Sequence, residues 1–484
     1  MSKIIKAPRG TFDILPEDMP LWYALERSAR DAFARYGYSE VRTPLIEELG
    51  LFIRGIGETT DIVEKEIFSV TSSKHITGGR AGDGSEAPRE DVLGLRPEGT
   101  AGVVRAYIEH GYPKTAPMQK FWYMGPMFRY ERPQAGRQRQ FSQIGVEVLG
   151  TYAPEADVET IALALDIIKG AGLADTQLKV NSIGCPKCRP GYRDEIRRFI
   201  GGRVDRLCGD CKRRFERNIF RVLDCKQEGC RALTADIPEI EGYLCADCAA
   251  HFQRVKELLG AVRVEYTKDK YLVRGFDYYT RTVYEIAHSA LGARDAVCGG
   301  GRYDNLVEEL GGPATGAVGF SIGMEPTLLA MKNCGVAPDQ NTSPMDVSVV
   351  VVSGNRAEDS KEREAAFKVL QEIRENGISA EMSFKQTLRA TGTVVEVDPS
   401  RGRTEYTDSV ELPAPAIIGS RYLLLSSVNA QMKEARRKNS KIVVFVGPDE
   451  IVAGAVKLRN MRTRQEKAVP FASLVAEIRT ALGK

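Results

Sequence analysis

The sequence predicts an α+β protein: an antiparallel sheet wrapped by helices over residues 1–335, a cysteine-rich helical insertion at 181–251 within it, and a small α/β domain at 346–484. Three observations carry this reading. Strand-like runs at 120–129, 142–149, 283–287 and 317–322 are joined in several places by short turns rather than by helices, which is the connectivity of antiparallel sheets. Eight of the ten cysteines crowd into residues 181–251. The stretch VAPDQNTSPM at 336–345 is polar and proline-containing, as inter-domain linkers are.

Composition bounds the rest. At roughly 150 residues per domain, a chain of 484 residues holds two to four domains. With 43% hydrophobic and 27% charged residues it is neither disordered nor collagen-like. The 68 basic and 65 acidic residues leave only +3, so any polyanion site must show in the local distribution of charge. The N-terminal stretch MSKIIKAPRGTFDILP lacks an apolar signal core, and nowhere do 18 apolar residues run together. A cytoplasmic protein with no membrane partner is expected, its cysteines reduced thiols or metal ligands.

Taken in order, Leu21, Leu25, Ala29, Ala32 and Tyr36 recur at helical spacing and Gly37 follows as the stop. Val41 and Thr43 favour a strand that Pro44 ends. LRPEGTA at 95–101 opens a second helix, with Thr100 near its N-cap. Two strands at 121–150 flank a loop holding Arg132, Arg137 and Arg139; on the returning strand Gln143, Gly145 and Glu147 alternate, so one sheet face collects polar groups and suggests a pocket. In LVRGFDYYTRTVYEI, Arg274, Asp277, Tyr278 and Tyr279 are costly in a dry core unless paired, although an exposed strand face would also carry them. The triple glycine at 299–301 marks either a tight turn or the close approach of another group. Beyond the linker, VSVVVVS, a helix at 360–376, the run IVVFVG at 442–447 and a helix near 471–482 make strands alternate with helices.

These pieces, APRGTFDILP, RTPLIE, LRPEGTA, FRYERPQAGRQRQFSQIG and RGFDYYTRTVYEI in that order, resemble the class II aminoacyl-tRNA synthetases and, within them, the histidyl-tRNA synthetase family. The resemblance implies a ligase with a class II antiparallel-sheet catalytic domain and a C-terminal anticodon-binding domain. Such an enzyme activates L-histidine with ATP, taken as its magnesium complex, and passes it to the 3′ end of tRNA(His). It further implies that Arg129 and Arg274 flank the α-phosphate as the catalytic pair, that Arg137 lies near the β- and γ-phosphates, and that Glu131 reads adenine while Phe141 stacks on it. Glu98 and Thr100, with Gly99 between them, and Gln143 would face the α-amino group of histidine. Glu147 and Tyr279 would face its ring, and Tyr278 would complete the wall. The class implies a homodimer whose symmetric interface is built by the helix ending at Gly37 and the strand before Pro44. Three places depart from the family: Pro326 stands where an arginine usually packs on adenine, residues 71–91 are long and glycine-rich, and 385–427 do not match.

The cysteines form three CxxC pairs, Cys185 with Cys188, Cys208 with Cys211 and Cys245 with Cys248, and Cys225 and Cys230 add two thiols. Eight thiolates are enough for two tetrahedral structural zinc sites; a metal-free helical insertion is the other reading. Residues 187–231 hold 14 basic and 7 acidic residues, and 428–467 hold 10 and 4, local excesses suited to an RNA backbone. Two other functions compete: a catalytically inactive paralogue of the regulatory-subunit type found with ATP phosphoribosyltransferase, and a zinc-dependent RNA-binding module.

Overall fold

The helical spacing buries Leu21, Leu25, Ala29 and Ala32 along one face of helix Met19–Tyr36, which ends where Gly37 turns to φ +73°, a conformation that glycine enters without steric cost. The computed structural model describes residues 4–57, 60, 62–70, 92–133, 137–292, 296–337, 345–352, 360–383, 386–390, 393–397, 423–425 and 427–484. The expected loop at 71–91 and much of 385–427 lie outside the described residues. Two compact units divide the chain, Met1–Asp339 and Gln340–Lys484.

The first unit is built on an eight-stranded sheet. Strand Gln140–Leu149 lies between Gln119–Phe128 and Ala317–Gly323, antiparallel to both. Ala296–Arg302, Thr280–His288 and Thr176–Ser182 extend the antiparallel ladder. Only the edge pairings are parallel: Ser39–Glu40 on Gln119–Phe128, and Thr267–Lys268 on Thr176–Ser182. The side-chain period of two then sorts residues between faces. Ile144, Val146 and Val148 join one core with helices Met19–Tyr36 and Pro154–Gly170. On the opposite face, Phe121, Tyr123, Met127 and Leu149 pack with Val103, Val104 and Tyr107 of helix Thr100–Glu109.

One buried ion pair ties helix to sheet. Arg302 donates from Nε to Asp157 Oδ2 at 3.1 Å and from Nη1 to the Thr151 carbonyl at 2.9 Å, with both charged side chains fully buried. Arg302 also pairs with Asp304 at 3.0 Å and Asp157 with His251 at 3.3 Å, so the pair is the centre of a buried network. Removing one member leaves the other partly paired, at a cost below the roughly 3–5 kcal/mol of a fully stranded charge.

The insertion is helical, with Arg189–Gly201, Gly209–Arg217, Glu228–Leu233 and Ala246–Ala261 as its longer pieces. It has a core of its own around Tyr192, Ile196, Ile200, Val222 and Leu233. In the second unit, a five-stranded sheet runs Ala380–Met382, Val347–Val351, Ile442–Val446, Ala455–Asn460, Glu466–Pro470. Helices Ser360–Glu375 and Leu474–Leu482 contribute Val369, Leu370 and Ile478 to its main core. A separate three-stranded antiparallel sheet comprises Gln386–Ala390, Thr393–Val397 and Leu423–Leu425. Among the described residues no helix is long and apolar enough to cross a membrane.

Candidate active site

Two cavities open on the sheet face that the alternation of Gln143, Gly145 and Glu147 marks as polar. The smaller, of about 150 Å³, is lined by Glu98, Thr100, Tyr123, Gln143, Tyr278, Tyr279 and Tyr303 together with Arg129 and Arg274. That is room for a group about the size of a benzene ring. The larger, of about 810 Å³, is lined by Arg129, Glu131, Arg137, Arg274 and Pro326 and by the insertion's Arg214, Arg221, Lys226 and Arg231. Arg129, Arg274 and Phe276 belong to both linings.

Register explains how the small cavity forms. Tyr123 lies opposite Gly145, and Gly125 opposite Gln143. A Cβ on Gly145 would fall 2.1 Å from the Tyr123 ring, and one on Gly99 2.3 Å from it, so both glycines make room for one phenol. Glu98 and Thr100 behave differently from the N-cap expectation. The helix N-cap is Gly99, and the Glu98 carboxylate folds back to accept the amides of Thr100 at 2.6 Å and Ala101 at 2.9 Å. A charge at the helix N-terminus satisfies otherwise open donors, which frees the Thr100 hydroxyl to donate to Glu147 Oε1 at 2.7 Å.

Glu147 is fully buried, and its second oxygen accepts the Tyr303 hydroxyl. Burial pushes its carboxyl up to about 8, against the opposing pull of the Tyr303 and Thr100 hydroxyls. It reaches the small cavity through those two partners, both of which line it. The Glu98 carboxyl is also raised by burial. Gln143 donates to Ser321 Oγ at 3.3 Å, while its Oε1 is buried with no hydrogen-bond partner among the described residues. Such an acceptor is an open place for a donor such as an ammonium.

Arg129, the last residue of the strand-like run at 120–129, lies just past the end of strand Gln119–Phe128, and Glu131 two residues beyond it. Arg129 donates to the Pro97 carbonyl at 2.9 Å and covers the Phe141 ring, 5.0 Å from its centroid. Arg137 pairs with Glu131 at 3.4 Å. Arg274 pairs with Glu285 at 3.4 Å and stands 5.6 Å from the Tyr279 ring centroid. The triple glycine is explained here by close approach and not by a turn: it sits inside strand Ala296–Arg302, and a Cβ on Gly299 would meet the Arg274 guanidinium at 1.6 Å. The spacing of the sequence motifs does not single out Tyr123, Tyr303 or Ser321, which line the small cavity. Tyr123 was within reach of a cross-strand argument; Tyr303 and Ser321 arrive by long-range pairing.

The eight insertion cysteines separate into two groups, Cys185, Cys188, Cys245 and Cys248, and Cys208, Cys211, Cys225 and Cys230, with ligand atoms within 4.8 Å of one another in each. Sγ separations are 3.6 Å for Cys185 to Cys188, 3.9 Å for Cys185 to Cys245 and 3.9 Å for Cys208 to Cys225. Tetrahedral zinc with bonds of about 2.3 Å needs sulfurs roughly 3.8 Å apart, whereas a disulfide needs about 2.05 Å. Backbone amides of Cys245 and Cys208 donate to the sulfurs of Cys188 and Cys230, which favours thiolates. The residues therefore fit a metal in both groups.

A family model of histidyl-tRNA synthetase matches residues 10–185 and 212–327, and an anticodon-binding domain model matches 424–481. The histidine–tRNA ligase of Halothermothrix orenii is 41% identical over 98% of this chain and 99% of its own, and that of Natranaerobius thermophilus 40% identical over 99% and 100%. The apo crystal structure of Staphylococcus aureus histidyl-tRNA synthetase aligns with a TM-score of 0.70 at 29% identity, covering 98% of this chain and all of that one. Likeness of this extent, along both units and at the motifs that line the two cavities, places the chain in the histidyl-tRNA synthetase family.

Proposed function

We propose that this chain is a histidine–tRNA ligase in which the small cavity takes histidine, the large cavity takes ATP with its magnesium, and the two substrates react where the cavities share Arg129 and Arg274. That shared wall is the observation that carries the reading. A histidine carboxylate oxygen attacks the α-phosphorus, the bond to the pyrophosphate oxygen breaks, and histidyl-adenylate forms. The 3′-terminal ribose hydroxyl of tRNA(His) then attacks the carbonyl and AMP leaves. The protein does little covalent work; fixed guanidiniums align the reactants and counter the negative charge gathering on the phosphate.

Within the small cavity, Glu98 and the open Gln143 oxygen suit an ammonium, and Glu147, just behind the lining, would act on the imidazole through Thr100 and Tyr303, with Tyr278 and Tyr279 as walls. In the large cavity Arg137 and Glu131 stand ready for the distal phosphates and adenine. Phe141 lies under Arg129, so the pair would offer adenine a stacked edge. Full-length relatives and the anticodon-binding match speak against the inactive paralogue, and the two cavities against a bare RNA-binding module. Charging of tRNA(His) with labelled histidine by the purified chain tests the reading; tRNA left uncharged at saturating ATP would refute it.

The basic surface of the insertion suits the tRNA backbone. Each cysteine group would hold one zinc ion, supplying a cross-link that a short helical insertion needs to fold. Elemental analysis is expected to give close to two zinc ions per chain; protein purified without chelators and free of zinc would contradict it. We further assign the chain to the cytoplasm, where reduced thiols persist. It would act as a homodimer, for which sedimentation at micromolar concentration should give twice the chain mass of 53.4 kDa; a monomer there would rule the dimer out.

A further inference from the structure

The segment carrying Tyr278 and Tyr279 leaves no regular element for its own carbonyls: residues 271–279 have neither helix nor strand. Backbone acceptors without a ladder must find donors elsewhere, and here the insertion supplies them. Arg189, the first residue of helix Arg189–Gly201, donates through Nη2 to the Tyr279 carbonyl and through Nη1 to the Asp277 carbonyl at 3.4 Å. Its Nε reaches the Ile183 carbonyl at 3.4 Å. Arg221 donates to the Gly275 carbonyl at 3.5 Å, and Asn218 to Asp277 Oδ1 at 2.9 Å. Arg189 directly follows Cys188, and Cys188 with Cys185 meets Cys245 and Cys248 from the far end of the insertion. Just before that cluster, the Ile183 amide donates to the Arg281 carbonyl at 2.8 Å, and the Arg281 amide to the Gly184 carbonyl at 2.8 Å.

We propose that Arg189 is a positioning residue for amino-acid selection: anchored by the Cys185–Cys188–Cys245–Cys248 cluster, its guanidinium holds the backbone of 277–279 and thereby sets the Tyr278 and Tyr279 rings that wall the small cavity. The inference rests on the reading that this cavity takes histidine. It separates the two cysteine clusters by role. The one at the root of the insertion controls the amino-acid pocket, while the other, whose Cys208 and Cys225 line the large cavity, faces the nucleotide side.

The test uses the full-length, zinc-replete protein. Arg189→Ala is expected to raise the KM for histidine in ATP–pyrophosphate exchange roughly ten-fold, since displaced positioning groups act at a distance, and to leave the KM for ATP within about two-fold. Calorimetric titration with histidine in the absence of ATP should show the same loss. Arg189→Lys keeps the cation but not the two-pronged donor, so it should fall between. Equal loss towards both substrates with a lowered Tm, or no change in histidine binding, would overturn the proposal. Glu147→Gln run alongside tells the two failures apart. If it too leaves histidine binding unchanged, the histidine pocket itself is misassigned; if it weakens binding while Arg189→Ala does not, only the positioning role falls.

Discussion

The two cavities differ in what they ask of a ligand. The small one, about 150 Å³, is walled by tyrosines, is lined by the buried Glu98 and is backed by Glu147 behind Thr100 and Tyr303, both carboxyls having raised pKa values, so it rewards a ligand that fits and pairs every polar group. The large one, about 810 Å³, is lined by arginines from the loops beside the sheet and from the insertion and rewards negative charge over shape. On the proposed reading, selection belongs to the small cavity, where an unpaired buried polar group costs most, and phosphate stabilisation to the basic one. Their common wall is the only place where the same substitution should harm both.

The largest effect is therefore expected there. Arg274→Ala should lower histidine-dependent exchange by about 10²-fold or more at any concentration of either substrate, as the loss of one preorganised charge donor does; exchange close to wild type would remove Arg274 from the reaction. Glu147→Gln should split the cavities. Losing a buried acceptor of roughly 1–3 kcal/mol translates to about 5- to 150-fold in the KM for histidine, with the KM for ATP unchanged. A parallel rise in both would merge the cavities into one functional site.

The same variant has a pH signature. The Glu147 carboxyl sits at about 8 in the folded chain against an ordinary 4.5, so the folded state binds the extra proton between these values. Its contribution to stability is fully present below pH 4.5 and is lost as pH rises through about 8, at up to about 1.4 kcal/mol per pH unit. Wild type should lose stability relative to Glu147→Gln between pH 5 and pH 9 in paired denaturant titrations. A constant difference would mean that the carboxyl is not perturbed.

The smallest effect concerns the large cavity alone. Pro326 lines it and cannot offer a cation to an aromatic face, so Pro326→Arg should lower the KM for ATP by roughly a few-fold to thirty-fold, the worth of one cation–π contact. The KM for histidine should not move. An unchanged KM for ATP would show that the adenine is seated elsewhere.

What could be read from the sequence were the local periods. Helix Met19–Tyr36 buries one face, and strand Gln140–Leu149, buried on both, alternates apolar Ile144, Val146 and Val148 with Gln143, Gly145 and Glu147, so their spacing gives them away. The polar face of that strand was legible for the same reason. What the spacing could not reveal is which distant residue meets it. Tyr303 reaches Glu147 across 156 positions, and the division of eight cysteines into two sets of four depends on how the insertion closes on itself. The Glu98 fold-back was hidden because Glu98 precedes the helix and its carboxylate does by reach what a short N-cap side chain does by proximity. Strand Thr176–Ser182 was missed because it buries only Leu178 and Val180 as apolar residues, too weak a pattern to stand out.

The most direct measurement of the division between a selective and a charged cavity is ATP–pyrophosphate exchange by the unmodified protein, run with each of the twenty amino acids in turn at saturating ATP. Exchange with histidine and with no other amino acid is the predicted result. No exchange with histidine at any ATP concentration, or equal exchange with an amino acid lacking a ring nitrogen, would contradict it.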